Sequence, residues 1–366
     1  MAKRFIIAGG GTGGHIFPAV AIANALKRED KNCEILFVGA RGKMEMEKVP
    51  QAGYQIKGLD IAGFNRSSLI KNIGLPWKLL KSFLQVRSIF NEFSPDAVIG
   101  VGGYSSFPVL RYAQAQRIPT FIHESNSFAG KSNILLGKKA TKIFVATQGM
   151  EKFFPAEKIV ITGNPIRPQI ANIGMVNKEE ALQKFGLQHG RQTVLAVGGS
   201  LGARSINESM EKGLNDLLEA DLQLIWQTGK GEASRWQKGA KGKKGIWVGE
   251  FITNMDQAYS AADLVVSRSG AMAVAELCVV QKPVLFVPYP FAAEDHQTVN
   301  AMTLVKNDAA LMVKDDQALE KLIPAIIALS KNTGKKNELK INIGRYAVQN
   351  ADEHIREEIL KNLKKS

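Results

Sequence analysis

Two cysteines, Cys33 and Cys278, are the whole thiol content of the 366 residues. They are too few for a disulfide framework, and no metal-ligand spacing surrounds either. Each is expected as a small buried apolar residue in a reducing compartment. No apolar run is long enough for a bilayer: a span needs about 20 residues, whereas the longest run, Pro283–Ala293, is broken by three prolines. The early apolar run Phe5–Ala8 stops at glycines, so no secretory leader is expected. Neither an Asp-x-Asp pair nor a His/Asp/Glu cluster with ligand spacing occurs, and neither a divalent metal nor a cofactor is expected.

Acid is scarce where base is dense. The formal net charge is +14. Residues 1–163 hold 22 basic and 11 acidic side chains, and residues 164–366 hold 26 and 23. Between Asp60 and Glu92 there is no carboxylate, while Arg66, Lys71, Lys78, Lys81 and Arg87 are all basic. Such an excess implies a polyanionic partner: nucleic acid, an anionic membrane or phosphorylated ligands. No RNA-binding motif or aromatic platform accompanies it, so nucleic acid is not the expected partner. A composition of 45% hydrophobic and 22% charged residues is that of a globular protein, and the length fits two domains.

What is present is a repeated alternation. Short apolar runs predict strands at Phe5–Ala8, Ile35–Val38, Gln55–Leu59, Ala97–Val101, Thr120–His123, Ile143–Ala146 and Ile159–Thr162. A second series follows at Thr193–Val197, Gln223–Gln227, Ile246–Val248, Leu264–Ser267, Val284–Val287 and Ala310–Val313. The intervening stretches carry a 3.6 period, as in Ala19, Ile22, Ala23 and Leu26. Strand-helix alternation predicts an α/β fold with doubly wound parallel sheets. The turn-former run Thr162–Pro168 separates two blocks, which predicts domains over 1–163 and 164–366. A last helix over about 338–363 is expected beyond the second sheet, placed to pack back on the first domain.

Each block opens with a glycine turn. Gly9-Gly10-Gly11-Thr12-Gly13-Gly14-His15 lies between a strand and a helix, where backbone N–H groups and the helix dipole suit an anion. It matches the dinucleotide fingerprint G-x-G-x-x-G, but the second strand ends Val38-Gly39-Ala40-Arg41, without the ribose-binding acid. Arg41 leaves an NADP-dependent oxidoreductase open, and a tight turn without ligand is a second alternative. Gly100–Ser106 forms a further glycine turn, and His123-Glu124-Ser125-Asn126 ends the fifth strand. All three would meet at the carboxyl edge of one sheet, where such folds bind ligands. In the second block, Ser267-Arg268-Ser269-Gly270-Ala271-Met272 opens a helix carrying Glu276, a carboxylate able to accept two ribose hydroxyls. Glu294-Asp295-His296-Gln297 and Asn300 gather polar groups suited to a sugar.

The motifs GGGTGGHIFPA, GVGGYSSFP, HESN, GNPIR, GGSLGARSIN, GEFITNM, SRSGAMAVAE and EDHQTVNA, in this order over essentially the whole chain, resemble glycosyltransferase family 28. More closely, they resemble its bacterial UDP-N-acetylglucosamine (UDP-GlcNAc) transferases of peptidoglycan synthesis. The resemblance implies a GT-B fold, two Rossmann-like domains with a cleft between them. It implies metal-independent, inverting transfer of GlcNAc to the muramoyl 4-hydroxyl of undecaprenyl-diphospho-MurNAc-pentapeptide, and hence a part in cell-wall biogenesis, cell shape and division. Another GT-B transferase with a lipid acceptor is the alternative. Catalysis falls to His15 as base, with Glu124 and His123 as rivals. Donor binding is implied for Arg167, Ser200, Arg204, Phe251, Ile252, Ala271, Met272, Glu276, Gln297 and Asn300, and also for Thr12, Gly13, Gly14 and Asn126. Gly13 and Gly14 are assigned to the acceptor too, with Gly103 and Tyr104; Asn126 alternatively orients the acceptor or is structural.

In the acid-free stretch, Leu69, Lys71, Ile73, Leu75, Trp77, Lys78, Leu80 and Lys81 interleave apolar and basic side chains. A basic amphipathic segment of this kind binds anionic membrane surfaces; a core-packed helix with a solvated basic face is the alternative. The resemblance implies a peripheral enzyme on the cytoplasmic face of the inner membrane, with cell-wall synthesis proteins as partners.

Overall fold

The computed structural model describes residues 2–62, 75–199, 201–231, 233–292 and 295–363. The chain divides into two compact units, Met1–Arg167 with Asn350–Ser366, and Pro168–Gln349. Strands form at all the expected runs, with ends shifted by at most two residues.

The first unit carries β1 (Arg4–Ala8), β2 (Glu34–Ala40), β3 (Gln55–Leu59), β4 (Ala97–Gly100), β5 (Thr120–Glu124), β6 (Lys142–Val145) and β7 (Ile159–Ile161). Its helices are α1 (Gly13–Glu29), α2 (Glu45–Gln51), α3 (Leu75–Phe93), α4 (Ser106–Ala115) and α5 (Lys131–Gly137). The second unit carries β8 (Gln192–Val197), β9 (Leu222–Gln227), β10 (Ile246–Gly249), β11 (Leu264–Ser267), β12 (Val284–Phe286) and β13 (Leu311–Met312). Its helices are α6 (Pro168–Ala171), α7 (Lys178–Lys184), α8 (Arg204–Lys212), α9 (Leu214–Glu219), α10 (Ala233–Ala240), α11 (Met255–Ala261), α12 (Ala271–Val280), α13 (His296–Val305), α14 (Ala318–Lys331) and α15 (Thr333–Gly344). A final helix, α16 (Ala351–Leu363), belongs to the first unit.

Every strand pairing is parallel, in the orders β3-β2-β1-β4-β5-β6-β7 and β10-β9-β8-β11-β12-β13. Parallel strands are covered on both faces, which is why they read as continuous apolar runs. Alternation sends Phe5, Ile7, Phe37 and Ile99 to one face of the first sheet, against Ile16, Ile22 and Leu26 of α1. Ile6, Leu36 and Val98 go to the other face, against Val86, Ile89 and Phe90 of α3. Each such side chain contributes roughly 1.5–3 kcal/mol on burial. In the second unit Trp226 and Trp236 are fully buried partners in the core.

The single helix expected over about 338–363 is two. Helix α15 ends at Gly344, and Asn350, with a positive φ of 60°, stands immediately before α16. Helix α15 stays with α12 and α14, whereas α16 lies on α1 and places Ile355 and Ile359 in the first unit's core. In each sheet the strand order reverses beside the first strand, between β1 and β4 and between β8 and β11. Both glycine turns leave the sheet at these switch points, where open α/β sheets bind ligands.

Candidate functional site

Because β4 is the neighbour of β1, the two glycine turns of the first unit touch. The Gly10 N–H donates to the Gly102 carbonyl at 3.3 Å. A Cβ on Gly103 would stand 2.5 Å from the Gly10 oxygen, so only glycine lets the two backbones approach this closely. His15, in the first turn of α1, donates through Nδ1 to the Gly10 carbonyl at 2.9 Å. A carbonyl can only accept, so this bond fixes the neutral ring with its proton on Nδ1 and its lone pair on Nε2. A Cβ on Gly102 would lie 2.8 Å from that Nε2, and the missing side chain keeps its surroundings open. Tyr104 is partly exposed, with its hydroxyl over Gly11, 3.8 Å from where a Cβ there would stand. Thr12 is the N-cap of α1 but makes no side-chain cap, and the first turn holds no acid. The N–H groups of Gly13 and Gly14 therefore lie at the bare positive end of a 17-residue helix.

At the end of β5 the loop closes on a buried carboxylate. Glu124 is 5% exposed, and its carboxylate is filled by its own loop. Oε1 accepts from the Asn126 N–H at 3.1 Å and from Asn126 Nδ2 at 3.4 Å. Oε2 accepts from the Gly130 N–H at 3.1 Å and from Asn133 Nδ2 at 2.9 Å. Glu124 and Asn126 thus hold the loop after β5 in shape. His123 is fully buried, and burial, with a smaller effect from nearby His15, lowers its pKa to about 4. A ring that weakly basic is a poor proton acceptor. Arg167 places its guanidinium 5.3 Å from the centroid of the Phe17 ring.

One buried carboxylate in this unit was not singled out by sequence reasoning. Glu45, in the first turn of α2, is 1% exposed. Its Oε2 accepts from the Gly11 N–H at 2.8 Å and its Oε1 from the Ala40 N–H at 2.9 Å. A Cβ on Gly10 would come within 2.3 Å of this carboxyl group, and one on Gly39 within 2.5 Å of its Cγ. The glycines at 10 and 39 thus make room for a carboxylate. In sequence Glu45 differs little from Glu47 beside it, and nothing local links it to a turn 34 residues earlier.

In the second unit, Ala271 and Met272 open α12 behind the N-cap Gly270, with no side-chain cap and no acid in the first turn. Their N–H groups face the same requirement for an outside partner. Glu276 is buried and accepts from the Tyr259 hydroxyl at 3.4 Å. Asn300 Nδ2 donates to the Ser269 carbonyl at 3.1 Å, and Ser269 Oγ donates to the Gln297 carbonyl at 2.8 Å. Gln297 Oε1 accepts from the Tyr289 N–H at 3.0 Å. Gln297 and Asn300 therefore tie α13 to the turn before α12. Phe251 is exposed, while Ile252 is buried and gives its N–H to Gln227 Oε1 at 2.9 Å. Gln227 also donates to the Gly199 carbonyl, joining the GGSLG turn to the Phe251–Ile252 segment. Arg204 is exposed and pairs with Glu208 one turn on, at 2.7 Å. Ser200 lies outside the described residues. Gln227 and Arg268 were missed by sequence reasoning. Arg268 reaches the Val287 and Pro288 carbonyls and Asp315, clamping the loop that leads to α13.

On α3, Trp77, Leu80 and Leu84 are 75%, 52% and 61% exposed, while Ser82, Val86, Ile89 and Phe90 are buried. The spacing puts the exposed apolar residues on one stripe, beside exposed Lys78. Lys81 is exposed too, but it is ion-paired to Asp60 at 2.8 Å, and Arg41 binds the same carboxylate at 3.0 Å. Leu69, Lys71 and Ile73 lie outside the described residues, as does the side chain of Leu75. Among the described residues no helix is long and apolar enough to cross a membrane, and no group of three His, Cys, Asp or Glu gathers as a metal site.

Comparison with known proteins matches both units. Residues 5–145 match the glycosyltransferase family 28 N-terminal domain, and residues 193–355 match the family's C-terminal domain. The chain is 50% identical over 361 residues to a protein of Parabacteroides distasonis, covering 98% of each. That relative is named UDP-N-acetylglucosamine–N-acetylmuramyl-(pentapeptide) pyrophosphoryl-undecaprenol N-acetylglucosamine transferase. A protein of the same name from Phocaeicola vulgatus is 50% identical, with 98% of this chain and 96% of that one covered. Among solved structures, Acinetobacter baumannii MurG is similar at a TM-score of 0.78 and 29% identity, with 98% of this chain and 99% of that one covered. The two parallel-sheet units are those of the GT-B class.

Proposed function

The chain belongs to glycosyltransferase family 28, and we propose that it moves GlcNAc from UDP-GlcNAc to the muramoyl 4-hydroxyl of undecaprenyl-diphospho-MurNAc-pentapeptide. The observation that carries this is the 50% identity, over 98% of both chains, to a transferase named for that reaction.

The residues supply a mechanism by a single displacement. The acceptor 4-hydroxyl attacks the anomeric carbon of GlcNAc as the bond from that carbon to the UDP oxygen breaks. The donor linkage is α, so one displacement gives a β product. His15 Nε2 takes the hydroxyl proton, and its lone pair is the one the Nδ1–Gly10 bond leaves for the purpose. Glu124 is engaged by its own loop, and burial leaves His123 weakly basic. The leaving UDP gains charge that the N–H groups of Ala271 and Met272 stabilise at the head of α12. Glu276 receives the ribose hydroxyls, Phe251 and Ile252 hold the uracil, and Gln297 and Asn300 read the sugar. Ser200, Arg204 and Arg167 serve the nucleotide. Gly13, Gly14, Gly103 and Tyr104 meet the acceptor, whose diphosphate suits the bare end of α1, with Thr12 and Asn126 shaping that turn and its neighbour.

The α3 stripe with Lys78 supports peripheral attachment to an anionic membrane on the cytoplasmic face, where a lipid-linked acceptor is reached. Cell-wall synthesis proteins are the partners this location implies.

Glu45 speaks against an NADP-dependent oxidoreductase. A dinucleotide's pyrophosphate needs the N–H groups of the first glycine turn, and the Gly11 N–H is already given to the Glu45 carboxylate. A thermal-shift panel separates the two: UDP and UDP-GlcNAc are expected to raise the melting temperature and NADP to leave it unchanged. Stabilisation by NADP alone would overturn the transferase.

A further inference from the structure

Glu45 and His15 grip the same peptide group from opposite ends. The Gly11 N–H and the Gly10 carbonyl belong to one peptide unit. The N–H is given to Glu45 Oε2 at 2.8 Å, and the carbonyl accepts from His15 Nδ1 at 2.9 Å. We propose that Glu45 is a positioning residue for the transfer reaction, acting on His15 through the Gly10–Gly11 peptide as a carboxylate–peptide–imidazole relay. The proposal rests on the reading of His15 as the base.

Three observations carry it. First, the carboxylate is 1% exposed, and among the described residues no cation pairs with it; its hydrogen bonds go to the backbone N–H groups of Gly11 and Ala40. A buried anion resting on peptide N–H groups polarises them strongly, because the low local dielectric screens little. Second, chains of hydrogen bonds strengthen one another. An anion on the N–H draws the amide toward its charge-separated form, puts more charge on the Gly10 oxygen and strengthens its hold on Nδ1–H. That holds the ring in the tautomer with its lone pair on Nε2 and supports the cation formed when Nε2 takes a proton, as a carboxylate does when it binds a catalytic or metal-bound histidine directly. Third, the fold reserves the space. Gly10 and Gly39 are the two places where a Cβ would strike Glu45, and Gly103 is where one would strike the Gly10 oxygen. The peptide is held on its faces as well as at its ends.

In the reaction no proton leaves Glu45. The acceptor hydroxyl loses its proton to Nε2, the ring becomes cationic, and the peptide and the carboxylate behind it stabilise that cation. Among the described residues, the group shown to act on the ring electrostatically is His123 on β5.

The test is Glu45→Gln, which keeps the shape and removes the charge, read by the pH profile of kcat and by ring-nitrogen NMR of His15. The expected result is a fall in kcat of about 10- to 100-fold, the range seen when a group orienting a histidine is removed. KM for UDP-GlcNAc should stay unchanged, the acid limb of kcat should move to lower pH, and the fraction of His15 protonated at Nδ1 should fall. A fall in kcat with an unmoved acid limb and an unmoved tautomer would reduce Glu45 to a structural brace and overturn the relay. If the variant fails to fold, the wild-type ring decides: a neutral His15 protonated at Nε2 overturns the relay. His15→Gln separates the two failures. Wild-type kcat in that variant removes the base reading itself, whereas a large loss there beside an unmoved profile in Glu45→Gln removes only the relay.

Discussion

His15 Nδ1 donates to the carbonyl of Gly10 at 2.9 Å, and this bond leaves Nε2 as the only basic nitrogen of the ring. Replacing His15 by Gln keeps a polar side chain but removes the base. Turnover is expected to fall by about 10²- to 10⁴-fold, the usual weight of general base catalysis. UDP affinity, which the proposed reading assigns chiefly to the second unit, should not change. Steady-state kinetics beside calorimetric titration of UDP check both halves of the expectation.

Glu276 is a buried carboxylate on α12, near the helix head assigned to the diphosphate. Hydrogen bonds to a charged group contribute about 1.5–3 kcal/mol. Glu276→Gln is therefore expected to raise KM for UDP-GlcNAc by about 10- to 100-fold while KM for the acceptor holds. An unchanged donor KM would take the ribose away from Glu276.

Acid should destabilise the first unit through His123. Its pKa is lowered from 6.5 unfolded to about 4 folded, because burial disfavours the imidazolium. Between those values the unfolded chain binds a proton that the folded chain does not. Stability therefore falls as pH drops through that window, by on the order of 3 kcal/mol. Below about pH 4 this contribution levels off. Urea midpoints measured across the window should show the loss, and His123→Phe should flatten that part of the profile. A wild-type curve already flat there would show that the ring protonates freely in the folded protein.

The exposed stripe on α3 gives a membrane expectation. Trp77→Ala with Lys78→Gln should weaken cosedimentation with anionic vesicles, since each surface lysine near such a membrane contributes about 1 kcal/mol and Trp77 adds an apolar anchor. Lys81→Gln should matter less than Lys78→Gln, because Lys81 is paired with Asp60, whose carboxyl it holds below the ordinary range. Equal vesicle binding by the double variant and wild type would count against attachment through α3.

Much of this was legible in the sequence because parallel α/β folds bring ligand groups to one sheet edge. The apolar runs fixed the strands, and once β1, β4 and β5 are neighbours, His15, Gly102 and His123 must converge. What stayed hidden depends on contacts without a local pattern. Glu45 looks like any solvated helix carboxylate until α2 lies under the first glycine turn. Glu124 was read as a rival base because its four hydrogen bonds come from Asn126, Gly130 and Asn133, which only the folded loop assembles. Lys81 read as a free cation because Asp60 is 21 residues away in sequence and a salt bridge apart in space. The break between α15 and α16, over residues 345–350, holds no glycine or proline to announce it, and its left-handed residue is Asn350.

The central claim is tested most directly by incubating the protein with UDP-GlcNAc labelled in the sugar and undecaprenyl-diphospho-MurNAc-pentapeptide, then following the label and the anomeric linkage. The expected result is label in the lipid fraction through a β-linked GlcNAc, with one UDP released per sugar moved. Label remaining in water-soluble sugar or UDP-sugar, or a lipid product with retained α configuration, would contradict the account.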